Sequence, residues 1–155
     1  MGLTRINHNT LPSGSVLQVV QNKSGAEFAP ASGGATWQDS GFTVTITPKS
    51  TSNKILVSLV CHGIIRNSAV IGVKLLRGTT EIWETDGYSN DADEWQHTNF
   101  GFTYLDSPAT TSAITYKVQM YASSLGASKQ ARMNYHSGTS GFDPHAQMIA
   151  QEIAG

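Results

Sequence analysis

An antiparallel β-sandwich of eight or nine strands is the fold this sequence predicts, and two observations carry the prediction. Phe42, Val44 and Ile46 alternate with Thr43, Thr45 and Thr47, the period of two that a strand with one buried face requires. Short β-type runs of this kind recur along the chain, punctuated by Gly, Pro, Ser and Asn.

Residues 1 to 14 are polar, lack periodicity and close in Leu11-Pro12-Ser13-Gly14, which predicts an extended arm leading into a domain that spans 15 to 155. Candidate strands follow at Ser15 to Gln21, Gly41 to Thr47, Lys54 to Gly63, Ala69 to Arg77, Glu81 to Glu84, Asn99 to Asp106, Ala113 to Ser123, Ala131 to His136 and Ala146 to Ile153. Pro48 ends the second run because it has no N–H for a ladder, and the Ser-Thr-Ser-Asn cluster after it favours a turn. The last run fits a strand, but Ala146, Met148, Ile149, Ala150 and Ile153 also suit a short helix. Asn22 to Gln38, rich in Gly, Ala and Ser, is expected to be a surface crossover of the sort Greek keys require.

Composition bounds the function. At 155 residues the chain is most simply one domain, long enough to bury about 70% of its unfolded surface. Charged residues make up 14% of it, below the roughly 25% of an average soluble protein, while Ser and Thr supply about a fifth. A net charge of −1, with ten Lys and Arg scattered along the sequence, leaves no basic stripe for nucleic acid. No run reaches the eighteen or so apolar residues of a membrane span, and the first residues lack a signal-peptide pattern. Cys61, the single cysteine, lies in an apolar run and is expected to be a small buried hydrophobe.

No catalytic template fits. Gly138-Thr139-Ser140-Gly141 is one residue short of a nucleophile elbow, the five histidines never take zinc spacing, and Gly33-Gly34 lacks the flanking strand and helix of a phosphate loop. The expectation is therefore no enzyme, no metal and no cofactor. The most chemically varied segment is Thr85 to Thr98, where Asp86, Asp91, Asp93 and Glu94 accompany Tyr88, Trp95 and His97. That mixture of aromatic and carboxylate suits a loop binding a sugar, a cation or a protein partner, although the carboxylates miss the calcium-loop spacing. The same composition also fits a solvated acidic loop with Trp95 folded onto the sandwich.

The apolar faces are more telling. Lys54 to His62 carries Ile55, Val57, Leu59 and Cys61 on one side and Leu56, Ser58 and Val60 on the other, so both sides want cover. Phe100, Phe102 and Tyr104 make an aromatic row on one face of their strand, and Tyr116, Val118 and Met120 make another. Surplus strand surface of this kind predicts either subunit packing, with Leu56, Val60, Phe100, Phe102, Tyr104 and Tyr116 as candidate contacts, or cover by loops and the arm.

Leu11 to Gln21 (LPSGSVLQVVQ), Thr43 to Val57 (TVTITPKSTSNKILV), Gly72 to Ile82 (GVKLLRGTTEI), Tyr104 to Ser123 (YLDSPATTSAITYKVQMYAS) and Ala146 to Gly155 (AQMIAQEIAG) together resemble a module of tail fibres and small virion proteins of marine bacteriophages, notably cyanophages. The resemblance implies a jelly roll like tumour-necrosis-factor and complement globular heads, a homotrimer, and Ala146 to Ile153 as a strand. It implies no catalytic residue. The expected role is a virion protein: a trimeric capsid decoration, or cement, protein bound to the major capsid protein or another virion protein. The alternative is a tail tip or short fibre whose acidic and aromatic loop holds host surface glycans. A preceding arm of about fourteen residues suits docking on a neighbour better than a fibre shaft.

Overall fold

The computed structural model describes residues 11–30, 36–66, 70–85, 95–123, 130–134 and 145–155. Nine strands occur among them: β1 Val16–Ser24, β2 Gln38–Ile46, β3 Lys54–Arg66, β4 Val70–Arg77, β5 Thr80–Thr85, β6 Trp95–Asp106, β7 Ile114–Ser123, β8 Gln130–Met133 and β9 Ala146–Ile153. Every predicted strand has its counterpart. The C-terminal run is a strand because its burial alternates residue by residue, with Ala146, Met148, Ala150 and Glu152 inward.

The strands form two antiparallel sheets, β1-β9-β3-β6 with β8 also on β3, and β2-β7-β4-β5. The pairing is nested: β4 with β5, β3 with β6, β2 with β7 and β1 with β9. A long antiparallel ribbon folded at the β4–β5 hairpin and rolled up on itself gives this order, and that is a jelly roll. Gly78, at φ 61°, takes the first loop position of that hairpin, a conformation open to glycine without strain.

Inner faces close on one core. Phe42, Val44 and Ile46 of β2 meet Ile55, Val57 and Leu59 of β3, with Ile71, Val73 and Leu75 of β4, Tyr116, Val118 and Met120 of β7 and Met148 of β9. Cys61 is fully buried there and free, and burial pushes its thiol up to about 12, so it is an inert hydrophobe.

The expected crossover at Asn22 to Gln38 begins later than predicted. Asn22 to Ser24 continue β1 along β9, and Phe28 makes an isolated bridge to Met133. β8 ends at Met133 rather than at His136. Asn134 follows at φ 56°, buried, with its amide donating to the carbonyls of Ser24 and Ala26. Asparagine tolerates that left-handed backbone better than most residues.

Two buried polar groups tie the sandwich together. Asp106, at the end of β6, accepts Arg77 Nη1 of β4 at 2.8 and 3.1 Å and the Tyr116 hydroxyl of β7 at 2.7 Å, joining the two sheets. Glu152, with no exposed surface, accepts Gln18 Nε2 at 2.6 Å, the Lys49 N–H at 2.5 Å and Asn53 Nδ2 at 2.6 Å. It gathers β1, the β2–β3 turn and β9 at one end of the molecule.

Candidate interaction surface

Register decides which side chains face out. In the first sheet Val19 lies opposite Gln151, Gln151 opposite Leu56, and Leu56 opposite Leu105, one row across four strands. The neighbouring row is Gln21, Ile149, Ser58 and Thr103, and the next is Lys23, Gln147, Val60 and Gly101. Glu152, Ala150 and Met148 alternate with these β9 residues and point to the core, so the rows form the outer face.

That face mixes apolar side chains with neutral polar ones and is almost uncharged. Val60 is 63% exposed, Val19 55% and Leu105 48%, although each sits in the middle or on the edge of a regular sheet. Amides and hydroxyls separate them, and the only formal charges in its rows are Lys23 and Lys54. Four strands of about seven residues cover roughly 440 Å² at ordinary strand spacing, shared between apolar and neutral polar side chains.

Of the predicted subunit contacts, Leu56 and Val60 lie on this face. The aromatic residues do not. Phe102 is buried with its ring 4.6 Å from Trp83, Tyr116 has no exposed surface, and Phe100 and Tyr104 pack against the core. Alternation correctly separated two faces of β6 and β7, but the aromatic face of each is the inner one. Phe100 even requires a glycine neighbour: a Cβ at Gly63 would lie 2.0 Å from its Cε1. Val19, Leu105, Ile149 and Ile153 are outer-face residues that the sequence reading did not single out. The Gln147-Met148-Ile149-Ala150-Gln151 alternation carried a signal for them.

Asp86, Tyr88, Asp91, Asp93 and Glu94 of the proposed binding loop lie outside the described residues. Trp95 and His97, expected in the same loop, instead take places in β6 opposite Arg66 and Ile64. Among the described residues no group of His, Cys, Asp and Glu is arranged to hold a metal ion. No described helix is long and apolar enough to cross a membrane.

A polar cleft of about 230 Å³ is lined by Leu11, Leu17, Lys49, Ser50, Ser52, Asn53, Ala154 and Gly155. Beside it the Gly14 N–H donates to the Ala154 carbonyl and the Ala154 N–H donates to that of Ser15.

The strand pairings thus define a jelly-roll protein whose first sheet exposes apolar side chains among neutral polar ones. No family model matches the chain, and no curated protein matches it. Among solved structures it is similar to chains of infectious bursal disease virus particles. For the T13 particle the identity is 16% and the TM-score 0.46, over 100% of this chain and 40% of that one. For the T=1 particles the values are 12% and 0.45, over 99% and 41%, and for the Gt strain 12% and 0.42, over 99% and 43%. The chain spans about two-fifths of the length of these viral chains.

Proposed function

We propose that this chain is a virion structural protein, a homotrimer that decorates a capsid surface, with residues 1–14 as a docking arm. The observation that carries the self-association is the outer face of the β1-β9-β3-β6 sheet, where Val19, Leu56, Val60 and Leu105 expose apolar surface free of acidic residues. The face carries no acidic residue and only Lys23 and Lys54 as formal charges, so like-charge repulsion between identical faces is confined to those two positions, and burying each of these apolar side chains contributes in proportion to its apolar area. The resemblance of five ordered segments to phage virion modules supports the virion setting. A hydroxyl-rich surface with few charges suits adhesion that is insensitive to salt.

Two measurements test the reading. Val60→Asp and Val19→Lys should abolish the trimer in sedimentation experiments while leaving the circular dichroism spectrum unchanged; trimers that survive both substitutions would refute the face. Deleting residues 1–14 should abolish binding to capsids and leave the trimer intact. Copy number separates decoration, with hundreds of copies per particle, from a glycan-binding tail tip, with tens.

A further inference from the structure

Besides β8, a four-residue strand on β3 whose Met133 is bridged by Phe28, four strands terminate the two sheets: β1 and β6 in one, β2 and β5 in the other. An edge strand offers unpaired N–H and C=O groups that invite another chain, and natural sheets blunt such edges with charge, brevity, bulges or cover. Three of the four edges show these devices. β5 has only six residues and carries Glu81 and Glu84, both ion-paired with Lys74. β2 shifts register between Asp39 and Thr43, and its Thr43 and Thr47 carbonyls accept the side-chain amides of Asn22 and Gln18. Those amides hold β1 over the β2 edge, and β1 has its own shift between Val16 and Gln18 and carries Lys23.

β6 is neither short nor bulged, and its one carboxylate, Asp106, is buried on Arg77 and Tyr116. Its twelve residues pair one for one with β3, from Asp106 opposite Ile55 to Trp95 opposite Arg66, without a register shift. It contains no Lys, Arg or Pro, and no described strand lies on its outer side.

We propose that β6 is a second self-association site, pairing antiparallel with β6 of another copy about a two-fold axis and joining two sheets into one. A two-fold axis reverses the strand's direction, so donors of one copy meet acceptors of the other. From Asn99 to Leu105 the strand carries no formal charge, so an identical strand brings no like charge opposite itself. On the edges of β5 or β1 it would bring Glu81 and Glu84, or Lys23, close to their own copies. Thr103 and Leu105, both exposed on the outer side, supply cross-strand side-chain pairs across the new junction. The site uses backbone groups where the outer face uses side chains, and it stands whether or not the virion role holds. A three-fold contact through the face and a two-fold through the edge are the operators that link trimers into a net over a shell.

Sedimentation velocity and amide hydrogen exchange, both across a dilution series, test the site on the wild-type chain, Thr103→Lys, Asn99→Lys and Val19→Lys. Positions 99 and 103 are exposed, so folding is expected to survive, with circular dichroism as the check. In the wild type and in Val19→Lys, exchange between Asn99 and Leu105 should slow as concentration rises. In Thr103→Lys and Asn99→Lys that slowing should vanish and the two-fold association should weaken at least tenfold. Exchange independent of concentration in the wild type, or unchanged association in both lysine variants, overturns the proposal.

Discussion

Replacing Glu152 with Gln probes how a fully buried carboxylate is retained in the sandwich. Three donors converge on it, from Gln18, the Lys49 N–H and Asn53. A carboxylate offers acceptors to all three. An amide offers one oxygen and turns an NH₂ group toward at least one donor, and Gln18 cannot flip freely because its Nε2 also donates to the Thr47 carbonyl at 2.7 Å. One buried donor is left unmade at a cost of about 1–3 kcal/mol, and the remaining bonds lose their charge assistance, for a total of about 3 kcal/mol at neutral pH. At a urea m-value of about 2 kcal/mol/M the unfolding midpoint falls by about 1.5 M. The loss is pH-dependent. Burial alone would push the Glu152 carboxyl up, but the Asn53, Lys49 and Gln18 donors outweigh it and hold the group below its ordinary value of 4.5. A depressed folded-state value means that this stabilisation is complete above the unfolded value and is lost as pH falls through the lower folded one. The assay is urea unfolding followed by tryptophan fluorescence, at fixed protein concentration, for both chains at pH 7, 5 and 3. Other carboxylates titrate equally in the two chains, so the difference isolates Glu152. It should be about 3 kcal/mol at pH 7 and 5 and shrink at pH 3; a gap that stays constant or widens in acid would refute the reasoning.

Gly63→Ala should destabilise the fold by about 1–3 kcal/mol, because its Cβ would overlap the Phe100 ring and force that side chain or β3 to shift; a melting temperature within a degree of wild type would contradict the packing. Tyr116→Phe should cost about 1–2 kcal/mol by removing the hydroxyl's bond to Asp106. Burial, reinforced by Asp106, holds the Tyr116 phenol well above its ordinary value of 10.0, so its contribution is present below about pH 10 and declines as pH rises beyond it. Ultraviolet titration should therefore show one tyrosine ionising only as the protein unfolds, and that step should be missing in the variant.

The strand pattern was legible because a strand's signal is local. Alternation in Phe42 to Thr47, the stop at Pro48 and the two apolar faces of Lys54 to His62 each depend on neighbours a few residues away. The binding-loop expectation was less secure for the same reason. Trp95 and His97 sit beside carboxylates in sequence, but their places in β6 are set by pairing with Arg66 and Ile64 some thirty residues earlier.

By itself, then, the sequence determined the number and positions of the strands and the presence of apolar surface beyond what one core can hide. A period of two sorts side chains into two faces without saying which face turns inward. That choice belonged to the tertiary structure: packing the β1-β9-β3-β6 sheet against the β2-β7-β4-β5 sheet put Phe102 and Tyr116 inside and left Leu56, Val60 and Leu105 outside. Closure also brought Gln18, Lys49 and Asn53 onto Glu152, and Arg77 and Tyr116 onto Asp106. Polar partners so far apart in sequence leave no local pattern, because only the burial they share makes their hydrogen bonds necessary.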